Sequence, residues 1–279
     1  MDVSSIPASR KSSSVRLIVF LSLAALLVLL SVFAPMLAPN DPYATSSAHM
    51  NEAPSPAFPF GTDRYGRCIC SRVLMGARTS IFSAVALVAA TFFLGSVLGM
   101  LAGWCGGVVD MAVMRLADIF LAFPQMVLAI AVAGILGGGM FNAMLAMGIT
   151  GWTLYARLAR AQVLAIREEA YVSAARLSAA GTFSILFRTL LPNLLGPLVV
   201  NASTQIGTMM IGIAGLSFLG IGVAEPQAEW GSMISAGRAY LQLAPWAVLA
   251  PAAATILTVM IFNYLGDCVR DVLDVEGIK

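Results

Sequence analysis

Charged residues are scarce in this chain, and their scarcity sets the class of protein. Only 11% of the 279 residues are charged, whereas 59% are hydrophobic. A soluble domain carries about 25% charged residues. We therefore expect an all-α integral membrane protein, with the lipid bilayer as its surroundings. The net charge of +2 is too small to indicate a nucleic-acid partner.

Lysine is almost missing, since it occurs only at Lys11 and Lys279. The Gly-rich phosphate loop of many ATPases ends in Lys followed by Ser or Thr. The body of the chain therefore has no ATP site of this kind. No nucleophile–base pair and no zinc-protease helix motif is visible either. We expect no catalytic residue and no cofactor bound by this chain itself.

Histidine and cysteine are too few to build a convincing metal site. His49 is the only histidine, and the cysteines are Cys68, Cys70, Cys105 and Cys268. Their spacing fits neither a zinc site nor a disulfide framework. We interpret the cysteines as small apolar residues and predict no metal site. The alternative is that His49, Cys68 or Cys70 hands over a metal ion.

Long uncharged runs predict about six transmembrane helices, each near the 20 residues that a span requires. The six predicted helices cover residues 17–37, 81–103, 116–136, 140–158, 195–219 and 246–266. We expect Pro124 to kink the third helix and the glycines at 137–139 to form a tight turn after it. The first run could instead be a signal peptide, but no small-x-small cleavage site follows it.

Three units follow along the chain. Residues 1–38 hold a cytoplasmic N-terminus and the first span, and residues 39–78 form an extracytoplasmic segment with turns at its prolines. Residues 79–279 form a core of five spans. Within the core, Gly95, Gly99 and Gly103 recur every four residues, which predicts a ridge for close helix packing in lipid.

Ionisable residues are nearly absent at the predicted mid-membrane depth. Such residues usually mark proton or ion pathways, because they are costly in lipid. A proton-coupled or sodium-coupled carrier is therefore disfavoured.

The polar stretch at 155–197 is predicted to lie outside the bilayer, because it carries five arginines between two uncharged runs. We expect two helical pieces. The first ends near Ala180 and Gly181, since glycine favours the position after a helix. The second runs from Thr182 to Leu191 and is stopped by Pro192, which lacks an N–H.

Small residues of the first piece fall on one helical face, at Ala170, Ala174, Ala175 and Ser178. A face of this kind lets the backbone of another protein approach closely. We therefore interpret the stretch as a docking element for a partner protein.

This stretch resembles the cytoplasmic coupling loop of ABC-importer permeases. The family pattern is Glu-Ala-Ala, three residues, Gly, nine residues, Ile, one residue and Leu-Pro. Ala174–Ala175 and Leu191–Pro192 hold that register. Ser173 stands at the Glu position, Ala179 at the Gly position and Thr189 at the Ile position. We expect Gly181 to take over the role of the family glycine.

The resemblance covers residues 15–275 and implies the type I ABC-importer permease fold. It places a coupling loop at residues 160–192. The residues that it assigns to ATPase coupling are Arg167, Glu168, Glu169, Ala170, Ser173, Ala174, Ala175, Ala179, Gly181, Leu191 and Pro192.

The implied partners are a second, homologous permease subunit, two ABC ATPase subunits that bind ATP and Mg, and an extracytoplasmic substrate-binding protein. The implied location is the bacterial inner membrane.

The distribution of positive charge predicts the orientation of the chain. With six spans, one side of the membrane receives both termini, the 104–115 turn and the coupling loop. That side collects eleven of the sixteen Lys and Arg residues, and the other side collects Arg64, Arg67, Arg72, Arg78 and Arg238. Positive residues favour the cytoplasm, so we expect both termini to be cytoplasmic.

The fifth span is the most polar and is predicted to line part of the translocation path. The candidate lining residues are Asn201, Thr204, Gln205, Thr208 and Met209. The alternative is that these residues serve helix–helix hydrogen bonding and packing.

The last third of the chain resembles the second permease subunit of dipeptide, oligopeptide and nickel importers. Residues 176–181 and 228–231 and Ile213 resemble the nickel type more than the peptide type. The expected cargo is nickel or a nickel chelate, with short peptides as the alternative. Rival interpretations are a self-contained carrier or channel and a membrane scaffold without transport.

Overall fold

The computed structural model describes residues 6–178 and 181–276, and these residues are overwhelmingly helical. The helices are α1 Ile6–Val32, α2 Ala34–Leu37, α3 Ile69–Cys105, α4 Gly107–Leu121, α5 Gln125–Ile135, α6 Met140–Ile166, α7 Ala170–Leu177, α8 Thr182–Ser184, α9 Leu191–Phe218, α10 Trp230–Gly237 and α11 Trp246–Glu276. A π-helical segment, Ile185–Leu190, joins α8 to α9. The predicted all-α class is confirmed.

Four of the described helices are long and apolar enough to cross a membrane. They are α1 from residue 14, α3, the continuous helix Thr182–Phe218 and α11, and the bent pair of α4 and α5 makes a fifth if it counts as one span. Helix α6 has 27 residues, which is the length of a span, but it is not among the helices whose hydropathy marks them as spans. It lies among its neighbours with eleven buried residues. The remaining surface of α6 still exposes large apolar side chains, at Phe141, Leu145 and Leu154.

The third predicted span is not one kinked helix. Helix α4 ends at Leu121 and α5 begins at Gln125, and the two meet at 88°. Pro124 stands between them in an extended conformation, because proline has no N–H to continue a helix. The predicted helix over 116–136 is therefore wrong. The polar connection predicted around 104–115 is also largely helical, since α4 already begins at Gly107.

Two other predicted boundaries shift. Helix α3 begins at Ile69, well before the predicted start at residue 81, and its 37 residues measure about 55 Å, more than a bilayer core. Helix α11 continues beyond residue 266, the predicted end of the sixth span, to Glu276. The tight glycine turn is confirmed: Gly137, Gly138 and Gly139 all have positive φ, which side chains rarely adopt.

Helices α3 and α6 form the central pair of the bundle. The predicted glycine ridge of α3 faces α6, and a Cβ at Gly95 or Gly99 would overlap the backbone oxygen of Trp152 or Ala156. At Gly103 a Cβ would lie 2.9 Å from the Cβ of Val163. The backbones therefore touch along three successive turns, which only glycine allows.

The bundle has two chemically different ends. At the first, which we name the loop end, Arg16 in the first half of α1 pairs with Asp271 near the end of α11 at 3.2 Å. Gly196 near the start of α9 lies beside Leu273 of α11. At the opposite end, residues 39–68 and residues 222–246 pack on each other, and Arg64 and Arg67 pair there with Glu225. We name these two segments together the cap.

The glycine ridge generates a direct prediction. Gly99→Ala should lower the free energy of unfolding by about 1–3 kcal/mol, since the new methyl group has no space against the α6 backbone. Thermal unfolding in detergent measures the effect. Gly134→Ala in α5 is the matched control, because a Cβ there meets nothing within 4 Å. Equal stability of the two variants would show that the ridge does not set the α3–α6 distance.

Candidate functional site

The predicted coupling loop, residues 160–192, lies at the loop end as a helical excursion between α6 and α9. Helix α6 ends at Ile166, and a turn follows in which Arg167 pairs with Glu168 at 3.1 Å. The carbonyl of Glu169 then accepts the backbone N–H groups of Val172 and Ser173 at 3.1 and 3.0 Å. This starts α7, so the predicted first helical piece is in fact two helices.

Helix α7 is held to the bundle by one side of its surface. Val172 is fully buried, in a cluster with Val163 of α6 and Leu186 and Leu190 of the π-helical segment. Ala175 packs half-buried against the same cluster. The buried side therefore fixes how α7 is oriented.

The opposite side of α7 presents the small residues to solvent. Ala170, Ser173, Ala174 and Ser178 are exposed, and the Ser178 hydroxyl donates to the Ala174 carbonyl at 2.9 Å. That bond satisfies the hydroxyl within the helix, so the face presents little that needs a polar partner. Glu168 and Glu169 lie exposed at its N-terminal edge.

Three local predictions for the loop need correction or lie outside the structure. Helix α7 ends at Leu177, and Gly181 has an ordinary φ of −61° at the N-cap of α8, so it does not terminate the preceding helix. Pro192 does not stop the second piece either, because the helix continues to Phe218. Ala179 and Ala180 lie outside the described residues.

The π-helical segment explains why Pro192 is tolerated. It ends with the Leu191 N–H donating to the Leu186 carbonyl, five residues back. Pro192 then stands in the first turn of α9, where its missing N–H costs little. Leu191 is half-buried and Pro192 is exposed at the surface of the loop end.

Most of the arginines near the loop bind within the chain. Arg160 forms a two-pronged ion pair with Asp110 of α4, Arg157 pairs with Asp118 at 2.6 Å, and Arg167 donates to the Gly103 carbonyl at 3.4 Å. Sequence reasoning missed Asp110 and Asp118 as partners. The available signal was the presence of two acidic residues in a stretch of the chain with few charges.

The five predicted path residues of α9 divide into different environments. Met209 is fully buried and faces Gly151 of α6, so it belongs to the core between the two helices. Thr204 packs against Gly266 of α11. Thr208 is exposed near the middle of α9, and Asn201 and Gln205 are half-exposed on the adjoining face.

The cap is joined by buried polar contacts. Arg72 of α3, 2% exposed, donates to the carbonyls of Pro42 and Pro226, both at 3.1 Å. Arg67 pairs with Asp63 at 2.6 Å and with Glu225 at 3.3 Å. Partial burial raises the pKa of Glu225, but Arg64 and Arg67 outweigh it and hold that pKa below its usual value.

Glu229 is a further buried polar residue of the cap, and sequence reasoning named it only within residues 228–231. Its side chain, 1% exposed, accepts the backbone N–H groups of Gly231 and Ser232 at 2.9 and 2.8 Å and so caps α10. The hydroxyls of Ser80 in α3 and Ser217 in α9 also bind it. Burial raises its pKa, and the hydrogen bonds that it accepts lower the pKa by less than burial raises it.

No group of three or more His, Cys, Asp or Glu side chains that could hold a metal ion occurs among the described residues. His49 pairs with Glu52 at 2.7 Å on the cap surface. Cys68 is buried and Cys70 half-buried, and neither forms a disulfide.

Comparison with known proteins identifies the class of this chain. A family model described as the binding-protein-dependent transport system inner membrane component matches residues 95–275. The chain belongs to this family. The dipeptide transport system permease protein DppC of Alkalihalophilus pseudofirmus is 39% identical and is matched over 88% of this chain and 81% of its own length. The nickel transport system permease protein NikC of Escherichia coli K12 is 40% identical over 90% of both chains.

The fold of this permease also has a solved relative. An inward-facing structure of the MetNI methionine ABC transporter has a TM-score of 0.51 at 20% identity, covering 70% of this chain and 94% of that one. The type I permease fold is therefore confirmed. The chain is a multi-pass membrane permease of an ABC importer, in a family of transport subunits without catalysis of their own.

The Glu229 cap generates a prediction about stability. Glu229→Ala should cost about 2 kcal/mol of unfolding free energy, because two buried N–H groups and two hydroxyls lose their acceptor. Glu52→Ala is the control, since the Glu52 carboxylate is 40% exposed and surface ion pairs contribute at most about 1 kcal/mol. Thermal unfolding compares them, and equal losses would contradict the capping role.

Proposed function

We propose that this permease forms half of a translocation path and couples to ATPase subunits through residues 160–192. The observation that carries the proposal is the two-sided character of α7. One side is anchored by buried Val172, and the other presents exposed Ala170, Ala174 and Ser178. A rigid helix with a smooth outer face suits docking against another protein.

The anchoring suggests how movement would pass from the loop to the spans. Val172 belongs to one buried cluster with Val163 near the end of α6 and with Leu186 of the π-helical segment, which continues without a break into α9. A displacement of α7 by a partner would therefore act on α6 and α9 together. Helix α6 would carry it to α3 across the glycine ridge.

The proposed assembly contains a second, homologous permease, two ABC ATPases and an extracytoplasmic binding protein. ATP and Mg would bind to the ATPases, and their closure would drive the loop. The binding protein would deliver cargo at the cap, which places the loop end and both termini in the cytoplasm. The excess of Lys and Arg at the loop end supports this orientation.

The exposed polar strip of α9 supports a path on that side of the chain. Gln205 and Thr208 lie near the middle of a 28-residue helix. An amide at that depth is costly against lipid and favours water or another polar surface. Asn201 and Thr204 would extend the strip toward the loop end, whereas Met209 would support it from behind.

For the cargo, we propose nickel in chelated form, with short peptides as the second candidate. Residues 176–181, residues 228–231 and Ile213 resemble the nickel type. The proposed lining offers amides and hydroxyls without a carboxylate, and such groups suit a ligand whose ion is already coordinated more than a bare divalent cation. The peptide candidate rests on DppC, which is as similar to this chain as NikC.

The docking proposal is tested at Ala174. Ala174→Trp should weaken ATPase co-purification about tenfold or more, because the indole prevents close approach while the exposed site leaves the fold intact. Ala239→Trp on the exposed cap surface is the control and should retain the ATPase. Normal ATPase binding by Ala174→Trp would contradict docking through this face of α7. Transport by the chain alone, with no ATPase bound, would support a self-contained carrier instead.

The cargo is tested on the substrate-binding protein that works with this permease. Calorimetry with nickel, nickel chelates and di- and tripeptides should show the tightest binding for a nickel chelate. A protein that binds peptides and ignores nickel would make this permease a peptide importer subunit. Tightest binding of free nickel ion would contradict the proposal that the cargo is a chelate, but it would support nickel as the metal that is transported.

A further inference from the structure

A groove of about 530 Å³ opens at the cap end beside the first turns of α3. Its lining comes from three parts of the chain: Tyr43, then Met75, Arg78, Thr79 and Phe82 of α3, then Gln227. A guanidinium, two hydroxyls and a carboxamide therefore meet a thioether and a phenyl ring. Mixed linings of this kind suit a ligand with a charged head and an apolar body.

The groove is built by a buried residue just behind it. Arg72, 2% exposed, donates to the carbonyls of Pro42 and Pro226, at 3.1 Å each. Those two prolines directly precede Tyr43 and Gln227. A single guanidinium thus fixes both walls of the groove against α3, and the groove is preformed by contacts that no ligand has to supply.

Arg78 is the cationic group of this groove that remains available. Its side chain is exposed, and it makes no salt bridge with any residue in the described part of the chain. The neighbouring Arg64 and Arg67 differ, since both pair with Glu225. Arg78 is therefore the place where an anion would be recognised.

The surface that continues from Arg78 along α3 is apolar. Phe82, Ala86 and Phe93 follow on the same helical face, with Phe82 40% and Phe93 67% exposed. This stripe extends about 22 Å from Arg78. The uncharged run of α3 begins at the next residue, Thr79. Arg78 therefore lies at the level of the lipid headgroups, where arginine and aromatic residues concentrate.

We propose that this groove binds an anionic phospholipid. The phosphate lies against Arg78 with Thr79, Tyr43 and Gln227 as further hydrogen-bonding groups, and an acyl chain follows Phe82 and Phe93. A carboxylate of a partner protein would pair with Arg78, but it would leave the apolar stripe, which follows α3 into the bilayer, without an apolar partner. Lipid satisfies both, and the proposal does not depend on the coupling role of residues 160–192.

The first test measures lipid retention by the assembled transporter. The complex is purified in detergent micelles that contain phosphatidylglycerol and phosphatidylcholine, and bound lipid is counted by mass spectrometry. We expect a preference for phosphatidylglycerol that falls about fivefold in Arg78→Gln. A factor of this size is the contribution of one arginine to the binding of an anionic lipid surface. Arg238→Gln, an exposed cap arginine outside the groove, should keep the preference. An unchanged preference in Arg78→Gln would overturn the proposal.

The second test identifies the occupant directly. A photoreactive benzoylphenylalanine replaces Phe82, an aromatic position that is already exposed, and the transporter is irradiated in its membrane. A phospholipid adduct that is lost when Arg78→Gln is added supports the proposal. An adduct with the second permease or the binding protein would overturn it and make this groove a protein interface.

Discussion

The contact between the backbones of α3 and α6 is the constraint on which the rest of the molecule depends. Gly95, Gly99 and Gly103 leave no space for a Cβ, so the two helices touch over three turns. In lipid, where apolar side chains gain nothing by meeting each other, such close packing is a main source of helix association. The pair defines the axis against which the other helices are placed.

The two ends of this axis carry different chemistry. At the loop end, Arg157 and Arg160 of α6 pair with Asp118 and Asp110 of α4. Those pairs hold α4 across α6, so the helix that leads into the proposed coupling loop is braced from the side. At the cap end, Arg72 connects the two segments that precede α3 and follow α9. Arginine suits both tasks, because its planar fork can reach two acceptors at once.

Continuity of the helix between the proposed coupling loop and α9 has a mechanical consequence. A proline within a regular helix breaks it, but the π-helical segment Ile185–Leu190 brings the chain to Pro192 already helical. The loop is therefore rigidly connected to a span, whereas its other end meets α6 at a turn. Movement of α7 would act mainly as rotation of a stiff lever.

The sequence by itself determined the membrane class, the all-α fold, the family and the approximate position of most spans. It also determined the glycine ridge and the glycine turn at 137–139, because glycine spacing and uncharged length act locally. Charge patterns predicted that the arginines of the 155–197 stretch lie outside the bilayer. They did not predict which acidic residues these arginines pair with. The family resemblance predicted a coupling loop at residues 160–192.

Tertiary structure alone decided which residues meet across the bundle. Pairings such as Arg160 with Asp110, or Glu229 with Ser80, join positions far apart in the chain, and no local pattern encodes them. The same holds for Met209, which looked like a path residue but is buried against α6. Pro124 and Pro192 show the limit most clearly. Both lack the N–H, yet one separates two helices at 88° and the other stands inside a continuous helix, since the surrounding packing decides whether the chain turns.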